Sequence, residues 1–204
     1  TNAVRAISIE DLFDPERNLA HRSRLWLLGD VGNAAGDPDD LVVLPGEEQI
    51  AVLLAGTGEL GIGHFADESL TRIETGAKPS ALALDHFGER LFIANSLSDL
   101  ITVVDLGKMR PIATISLSRD LFLGAEDRGR RLFFSARLSH DQWMSCHSCH
   151  TNGHSNGLLA DTLGDGDFGA PKRIPSLMGV GVTAPFGWLG EKETLEDQIR
   201  ATLK

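Results

Sequence analysis

The feature that most constrains this chain is an internal repeat. Gly46-Glu47-Glu48-Gln49-Ile50-Ala51-Val52-Leu53-Leu54-Ala55 and Gly88-Glu89-Arg90-Leu91-Phe92-Ile93-Ala94-Asn95 share one pattern, a turn that runs straight into an apolar strand, with Ile50 and Leu91 41 positions apart. Farther along, Ile73 and Ile115 stand 42 positions apart. Each unit continues in the same order, with Gly56-Thr57-Gly58 or Ser96-Leu97-Ser98-Asp99 as a turn and then a second strand, clearest in Leu100-Ile101-Thr102-Val103-Val104-Asp105. A third strand is predicted at 70–75 and 111–117, and Ala81-Leu82-Ala83-Leu84 supplies a further short one. A fixed period of this length means one supersecondary unit used more than once.

Four short strands in about 40 to 45 residues is the spacing of a β-propeller blade. Each blade buries its faces against neighbours on both sides, so two blades cannot close a ring. The expectation is an incomplete propeller, completed by another chain or by a segment outside this sequence. The alternative is a small antiparallel sheet whose repeat is accidental. In the first 37 residues, Arg24-Leu25-Trp26-Leu27-Leu28 reads as a strand of a preceding blade and Ile9-Glu10-Asp11-Leu12-Phe13 as a short helix ending near Pro15. Arg90-Leu91-Phe92-Ile93-Ala94-Asn95-Ser96 and Ile101-Thr102-Val103-Val104-Asp105 resemble the repeat of YVTN-type β-propellers over residues 38–117. The predicted fold class is therefore multi-domain, with propeller-like all-β repeats in residues 1–120 and an all-α, cytochrome c-type domain in residues 121–204.

The second domain is inferred from chemistry. Gly129-Arg130-Arg131-Leu132-Phe133-Phe134 tempts a third repeat, but Ala125, Gly129, Phe133 and Ala136-Arg137 follow helical spacing, with Glu126-Asp127 where a helix N-terminus favours negative charge. Beyond it stands Cys146-His147-Ser148-Cys149-His150, the attachment sequence for c-type haem. Two thiols three positions apart on a tight turn can each add to one vinyl group of the same porphyrin, and the next residue offers an imidazole to the iron. Cys146 and Cys149 become thioethers and His150 the proximal ligand. Three other readings stand beside this one: a redox-active Cys-x-x-Cys, a zinc site from Cys146, Cys149 and two of His147, His150 and His154, and a buried thiol pair.

Arg128-Gly129-Arg130-Arg131-Leu132-Phe133-Phe134-Ser135-Ala136-Arg137-Leu138-Ser139, running on to Ser145-Cys146, resembles the start of a haem domain of the bacterial cytochrome c peroxidase and MauG-like family. Arg173-Ile174-Pro175-Ser176-Leu177, Thr183-Ala184-Pro185-Phe186, Gly190 and Thr194-Leu195-Glu196-Asp197-Gln198 resemble that family's second half in order and spacing. The resemblance covers residues 124–204 and implies redox chemistry outside the cytoplasm, since such proteins receive their haem after secretion. Two-haem relatives carry two attachment sequences, whereas this chain carries one, so one covalent haem c is expected here. Asp165-Gly166-Asp167-Phe168-Gly169 stands where related domains often have a histidine, and Trp188 where some have histidine or tryptophan. The acidic residue beside the peroxide would fall after the Thr194 helix, where the sequence stops.

The sixth iron ligand decides whether such a haem passes electrons or binds peroxide. Met178, 28 positions after His150, is the thioether candidate, and its setting reads equally well as packing. His154 is a weaker candidate, and a site without a strong protein ligand is the favoured expectation. Trp143 and Trp188 are expected to pack around the porphyrin, with electron relay as the alternative role. The chain contains no Tyr, which excludes a tyrosyl relay.

Composition trims the remaining classes. Lys+Arg 19 against Asp+Glu 29 gives a net charge of -10, which repels nucleic acid and steers a basic redox partner protein or a small electron donor toward the surface. Two cysteines this close exclude a disulfide scaffold. No apolar run reaches the roughly 18 residues of a membrane span, so no membrane partner is expected. The opening Thr1-Asn2-Ala3 lacks a charged-then-apolar secretion segment, which reads as a processed or trimmed chain. The acidic loop Asp161-Thr162-Leu163-Gly164-Asp165-Gly166-Asp167 lacks the ordered ligand series of a calcium loop, and calcium is left unassigned. Three functions remain: a peroxidase-like oxidoreductase, an electron carrier fused to a partner-docking module, and a haem-based sensor or structural haem on a binding module. The expected location is periplasmic or extracellular.

Overall fold

The computed structural model describes residues 2–14, 16, 18–46, 48–64, 66, 70–118, 124–163 and 165–203. Packing divides the chain into two compact units, Thr1–Met144 and Ser145–Lys204. The expected boundary at 120/121 lies outside the described residues.

In the first unit, β1 (Ala3–Ala6) pairs antiparallel with β2 (Arg24–Leu27). Two single-turn helices lie between them. α1 (Ile9–Leu12) starts at Ser8, whose side chain accepts from the Glu10 amide, and α2 (Leu19–Arg22) starts at Asn18, which accepts from Ala20. Then come two four-stranded antiparallel sheets, each in simple sequence order. The first holds β3 (Pro38–Val43), β4 (Gln49–Leu54), β5 (Glu59–His64) and β6 (Leu70–Glu74). The second holds β7 (Pro79–Leu84), β8 (Arg90–Asn95), β9 (Leu100–Asp105) and β10 (Arg110–Ser116).

The repeat is structural down to its register. Ala51 pairs with Val42 and Ile62, and 41 positions on Phe92 pairs with Ala83 and Val103. Bonds outside the ladders repeat as well: the Ala55 amide donates to the Asp37 carbonyl as Ser96 does to Lys78, and Thr75 to Gly58 as Leu117 does to Asp99. Asp37, Lys78, Gly58 and Asp99, two equivalent pairs, all adopt positive φ to make these corners. Accidental similarity does not reproduce hydrogen bonds at offsets of 41 and 42 positions.

Alternation along the strands places the core. One face of the first sheet, with Ala51, Leu53, Leu60, Ile62 and Ile73, packs on Leu91, Ile93 and Val104 of the second. Its other face, with Ile50, Val52 and Leu54, packs on Trp26, Leu28 and Ala35. The first sheet is thus buried on both sides, which explains why β4 is almost continuously apolar. Two buried polar groups pin the layers. Asn95 accepts from the Gly76 amide at 2.8 Å and donates to the Ile93 and Leu100 carbonyls and the Thr102 hydroxyl. Arg72 pairs with Glu59 and donates to the Asn33 and Ala34 carbonyls, tying that loop to the first sheet.

The helix predicted from the Ala125, Gly129 and Phe133 spacing forms as α3 (Ala125–Phe133). It closes on the sheets: Arg131 donates to the Leu97 carbonyl at 2.8 Å, the Ala136 amide to Gly56 at 2.7 Å, and Arg137 to Thr57. Fully buried Ala136 sits against Gly36 and Gly56, where any added Cβ would collide with it. Among the described residues the two sheets do not close a ring, so the repeats form a two-sheet stack and no closed propeller.

The second unit departs from the all-α expectation. It holds α4 (Cys146–Cys149), the short pair β11 (Leu159–Ala160) with β12 (Lys172–Arg173), and α5 (Leu195–Thr202), joined by single 3-10 turns and irregular backbone. The reason is local: Asn152, Gly153, Gly157, Leu163, Gly166, Gly169, Gly179, Gly187 and Gly190 all have positive φ, and each such residue interrupts a right-handed helix. α5 begins where Thr194 accepts from the Asp197 amide, the helix cap predicted for that pair.

Candidate functional site

The segment 145–150 is organised by serines. Ser145 accepts from the His147 amide at 3.1 Å while Ser148 accepts from the Ser145 amide at 2.8 Å, a reciprocal cap that fixes one helical turn. Cys146 and Cys149 open and close that turn. Residues three apart share a helix face, so both sulfurs are directed to the same side. Cys146 is exposed and Cys149 half-buried.

His150 ends the turn with φ -99° and ψ 64°, outside helical space, and its amide donates to the Cys146 carbonyl. Its Nδ1 lies 3.0 Å from the Pro175 carbonyl oxygen. A carbonyl only accepts, so Nδ1 carries the proton and Nε2 keeps the lone pair that a metal takes. An imidazole held by a backbone carbonyl on one nitrogen is the usual state of a metal-ligating histidine.

Residues 174–178 are laced alongside this turn. Ser155 donates to the Ile174 carbonyl at 2.6 Å, the Leu177 amide to Gly153 at 2.9 Å, and Ser176 Oγ lies 3.3 Å from His154 Nδ1. Met178, 64% exposed, closes this segment with its sulfur in the space beside Gly153. His147 turns Nδ1 to accept from the Asn152 amide at 3.1 Å. The three histidines thus engage different partners, and no group of three or more His, Cys, Asp or Glu able to hold a metal ion occurs among the described residues. The zinc reading finds no assembled site.

Trp188 is 64% exposed, with Lys172 Nζ 5.2 Å from its ring centroid. Lys172 also pairs with Asp165 and donates to the Ala170 carbonyl. The Lys172 hydrogen bond holds the Asp165 carboxyl below the ordinary carboxylate range. Backbone amides of Leu163 and Gly169 do the same for Asp161. These carboxylates are thus occupied in closing their own loop. Trp143 belongs to the first unit, half-exposed, with its carbonyl accepting from Asn2.

The residues present fit a covalent haem. Two thiol-bearing side chains share one turn, and the next residue is an imidazole with its metal-binding nitrogen defined. Among the described apolar side chains of the second unit only Ile174 and Phe186 are buried, while Leu158, Leu159, Val182, Trp188 and Leu189 are exposed. Such side chains suit a flat apolar macrocycle. Sequence reasoning missed Pro175, which the Arg173-Ile174-Pro175-Ser176-Leu177 motif contains, and the capping serines, whose signal was the Ser-x-x-Ser spacing.

With this geometry in view, the comparisons with known proteins show what the C-terminal part resembles. Residues 125–204 match the family of di-haem cytochrome c peroxidases. A 74-residue stretch is 36% identical to the methylamine utilization protein MauG of Methylorubrum extorquens, covering 35% of this chain and 21% of that protein. The chain thus spans about a fifth of the length of this relative. Among solved structures, a Kuenenia stuttgartiensis hydrazine synthase chain aligns with a TM-score of 0.39 and 19% identity over 46% of this chain and 27% of its own.

Proposed function

We propose that this chain is a c-type cytochrome that carries one haem on Cys146, Cys149 and His150 and works as an oxidoreductase of the cytochrome c peroxidase/MauG kind. The observation that carries the reading is the contact of His150 Nδ1 with the Pro175 carbonyl, which leaves Nε2 as the coordinating atom. When bound, the haem supplies a one-electron iron couple and, where an axial position is open, a place for peroxide. The chain's own residues do the holding: two cysteines anchor the ring edge, His150 orients to the iron, and Trp188 is proposed to shield the macrocycle. The distal position is read as lacking a strong protein ligand, and Met178, 64% exposed, is the candidate that the spectrum tests. The proposed location is periplasmic or extracellular, because haem is attached to such relatives after secretion. No described helix is long and apolar enough to cross a membrane. The net charge of -10 favours a basic electron donor or acceptor.

The test is the visible and electron-paramagnetic spectrum of the oxidised protein, for wild type and Met178→Ala. A high-spin signal, unchanged by the substitution, is expected. A low-spin signal lost in Met178→Ala would make Met178 the sixth ligand and favour the electron-carrier reading.

A further inference from the structure

We infer that Asn152 is a site of spontaneous, succinimide-forming deamidation, a slow modification that unlaces the segment holding His150. The modification stands on the geometry of residues 147–177 and is independent of the haem reading; its bearing on His150 as iron ligand rests on that reading.

The dipeptide Asn-Gly occurs twice in the chain, at Asn152-Gly153 and Asn156-Gly157. A following glycine is the most permissive neighbour for this chemistry, because no Cβ screens its main-chain nitrogen. Local sequence therefore gives both sites the same intrinsic reactivity. The attacking nitrogens do not separate them either. The Gly153 amide donates to the His150 carbonyl at 2.9 Å and the Gly157 amide to Ser155 Oγ at 3.0 Å.

The carboxamides do separate them. Asn156 is half-buried; its Nδ2 donates to the Ser148 carbonyl at 3.1 Å and its Oδ1 accepts from the Leu158 amide at 2.9 Å. Its own amide donates to the Cys149 carbonyl at 2.9 Å. The Asn156 carboxamide therefore reaches the Gly157 nitrogen only after these bonds open. Asn152 is exposed, and its carboxamide makes no hydrogen bond among the described residues. Its main chain is held by the amide, which donates to His147 Nδ1 at 3.1 Å, while the side chain can turn onto the Gly153 nitrogen.

The step balances with water as the one co-reactant. The Gly153 nitrogen loses its proton and bonds to Asn152 Cγ, the bond from Cγ to Nδ2 breaks, and ammonia leaves with that proton. Water then opens the five-membered imide. Opening at Cγ gives aspartate, and opening at the main-chain carbonyl gives isoaspartate, whose backbone runs through Cβ. That longer backbone displaces Gly153. The Gly153 carbonyl accepts from the Leu177 amide at 2.9 Å, and Pro175, two residues earlier, supplies the carbonyl that meets His150 Nδ1 at 3.0 Å. Isoaspartate at 152 therefore loosens residues 175–177 and, through them, the partner of His150.

The test ages the 204-residue chain in mildly alkaline buffer, folded and in urea, and maps its peptides by mass spectrometry with isoaspartate methyltransferase labelling. In urea both sites should convert at similar rates. In the folded chain Asn152 should convert at least about tenfold faster than Asn156, which must first open locally. Hydrogen exchange of the Leu177 amide should rise about tenfold in the isoaspartyl form, and should stay at the parent's rate in Asn152→Asp, whose backbone has ordinary length. Equal rates at the two sites in the folded chain, faster conversion at Asn156, or no conversion at Asn152 where urea permits both would overturn the inference. Unchanged Leu177 exchange in the isoaspartyl form would do the same. The peptide map also weighs residues 146–150, so a missing haem there would sink the haem reading and leave the deamidation result standing.

Discussion

His150 Nδ1 and the carbonyl of Pro175, 25 residues apart in sequence, meet at 3.0 Å. The contact fixes the tautomer of the histidine proposed as the iron ligand. Replacing the imidazole separates attachment from ligation. In His150→Gly the intact mass should still include one haem, held by Cys146 and Cys149, while the proximal field collapses and added imidazole restores the spectrum. In Cys146→Ser/Cys149→Ser the haem mass should be absent after denaturation. Full retention of the wild-type spectrum by His150→Gly would exclude it as the ligand.

Asn95 holds the corner between the sheets. Asn95→Leu keeps the volume but leaves the buried Gly76 amide without its acceptor at 2.8 Å and the Thr102 hydroxyl without its donor. The expected loss is about 2–3 kcal/mol, read as a lower urea midpoint at unchanged slope. An unaltered midpoint would mean that water or a backbone shift satisfies Gly76.

Arg72 joins Glu59 to the carbonyls of Asn33 and Ala34 with its side chain only 10% exposed. Arg72→Met should destabilise the first unit by about 3 kcal/mol, because it strands a half-buried carboxylate and two carbonyls. Adding Glu59→Gln should recover part of the loss. A double variant as unstable as the sum of the two single changes would show that the pair is not coupled.

Acid should loosen the 161–172 loop. Asp161 is held below its ordinary value of 3.8 by the Leu163 and Gly169 amides, and Asp165 by the Lys172 side chain. Folding therefore lowers both values, so the folded loop binds fewer protons than the unfolded chain and its stabilisation is complete above 3.8. That stabilisation is lost as pH falls through the lower folded values. The Leu163 and Gly169 amide resonances should titrate together with a midpoint under 3.8. A midpoint at or above it would contradict these contacts.

The parts of this protein that could be read from sequence are those written in short-range order. Strand alternation and a 41-residue offset specify the two meanders, because side-chain direction in a strand depends only on parity. The Ala125, Gly129 and Phe133 spacing specifies α3 for the same kind of reason. Cys146, Cys149 and His150 stand out in sequence because the proposed attachment needs two thiols and an imidazole to reach one ring from a single turn. What tertiary structure decided lies in long-range packing. Ala136 seals against Gly36 and Gly56, binding α3 and its following turns to the sheets, and no local pattern encodes that choice. The helical expectation for the second unit failed because positive-φ glycines interrupt the chain wherever a turn must lace back on the segment 146–150. Pro175 shows the limit most clearly: its functional group is a backbone carbonyl, which every residue possesses, so only the fold could select it.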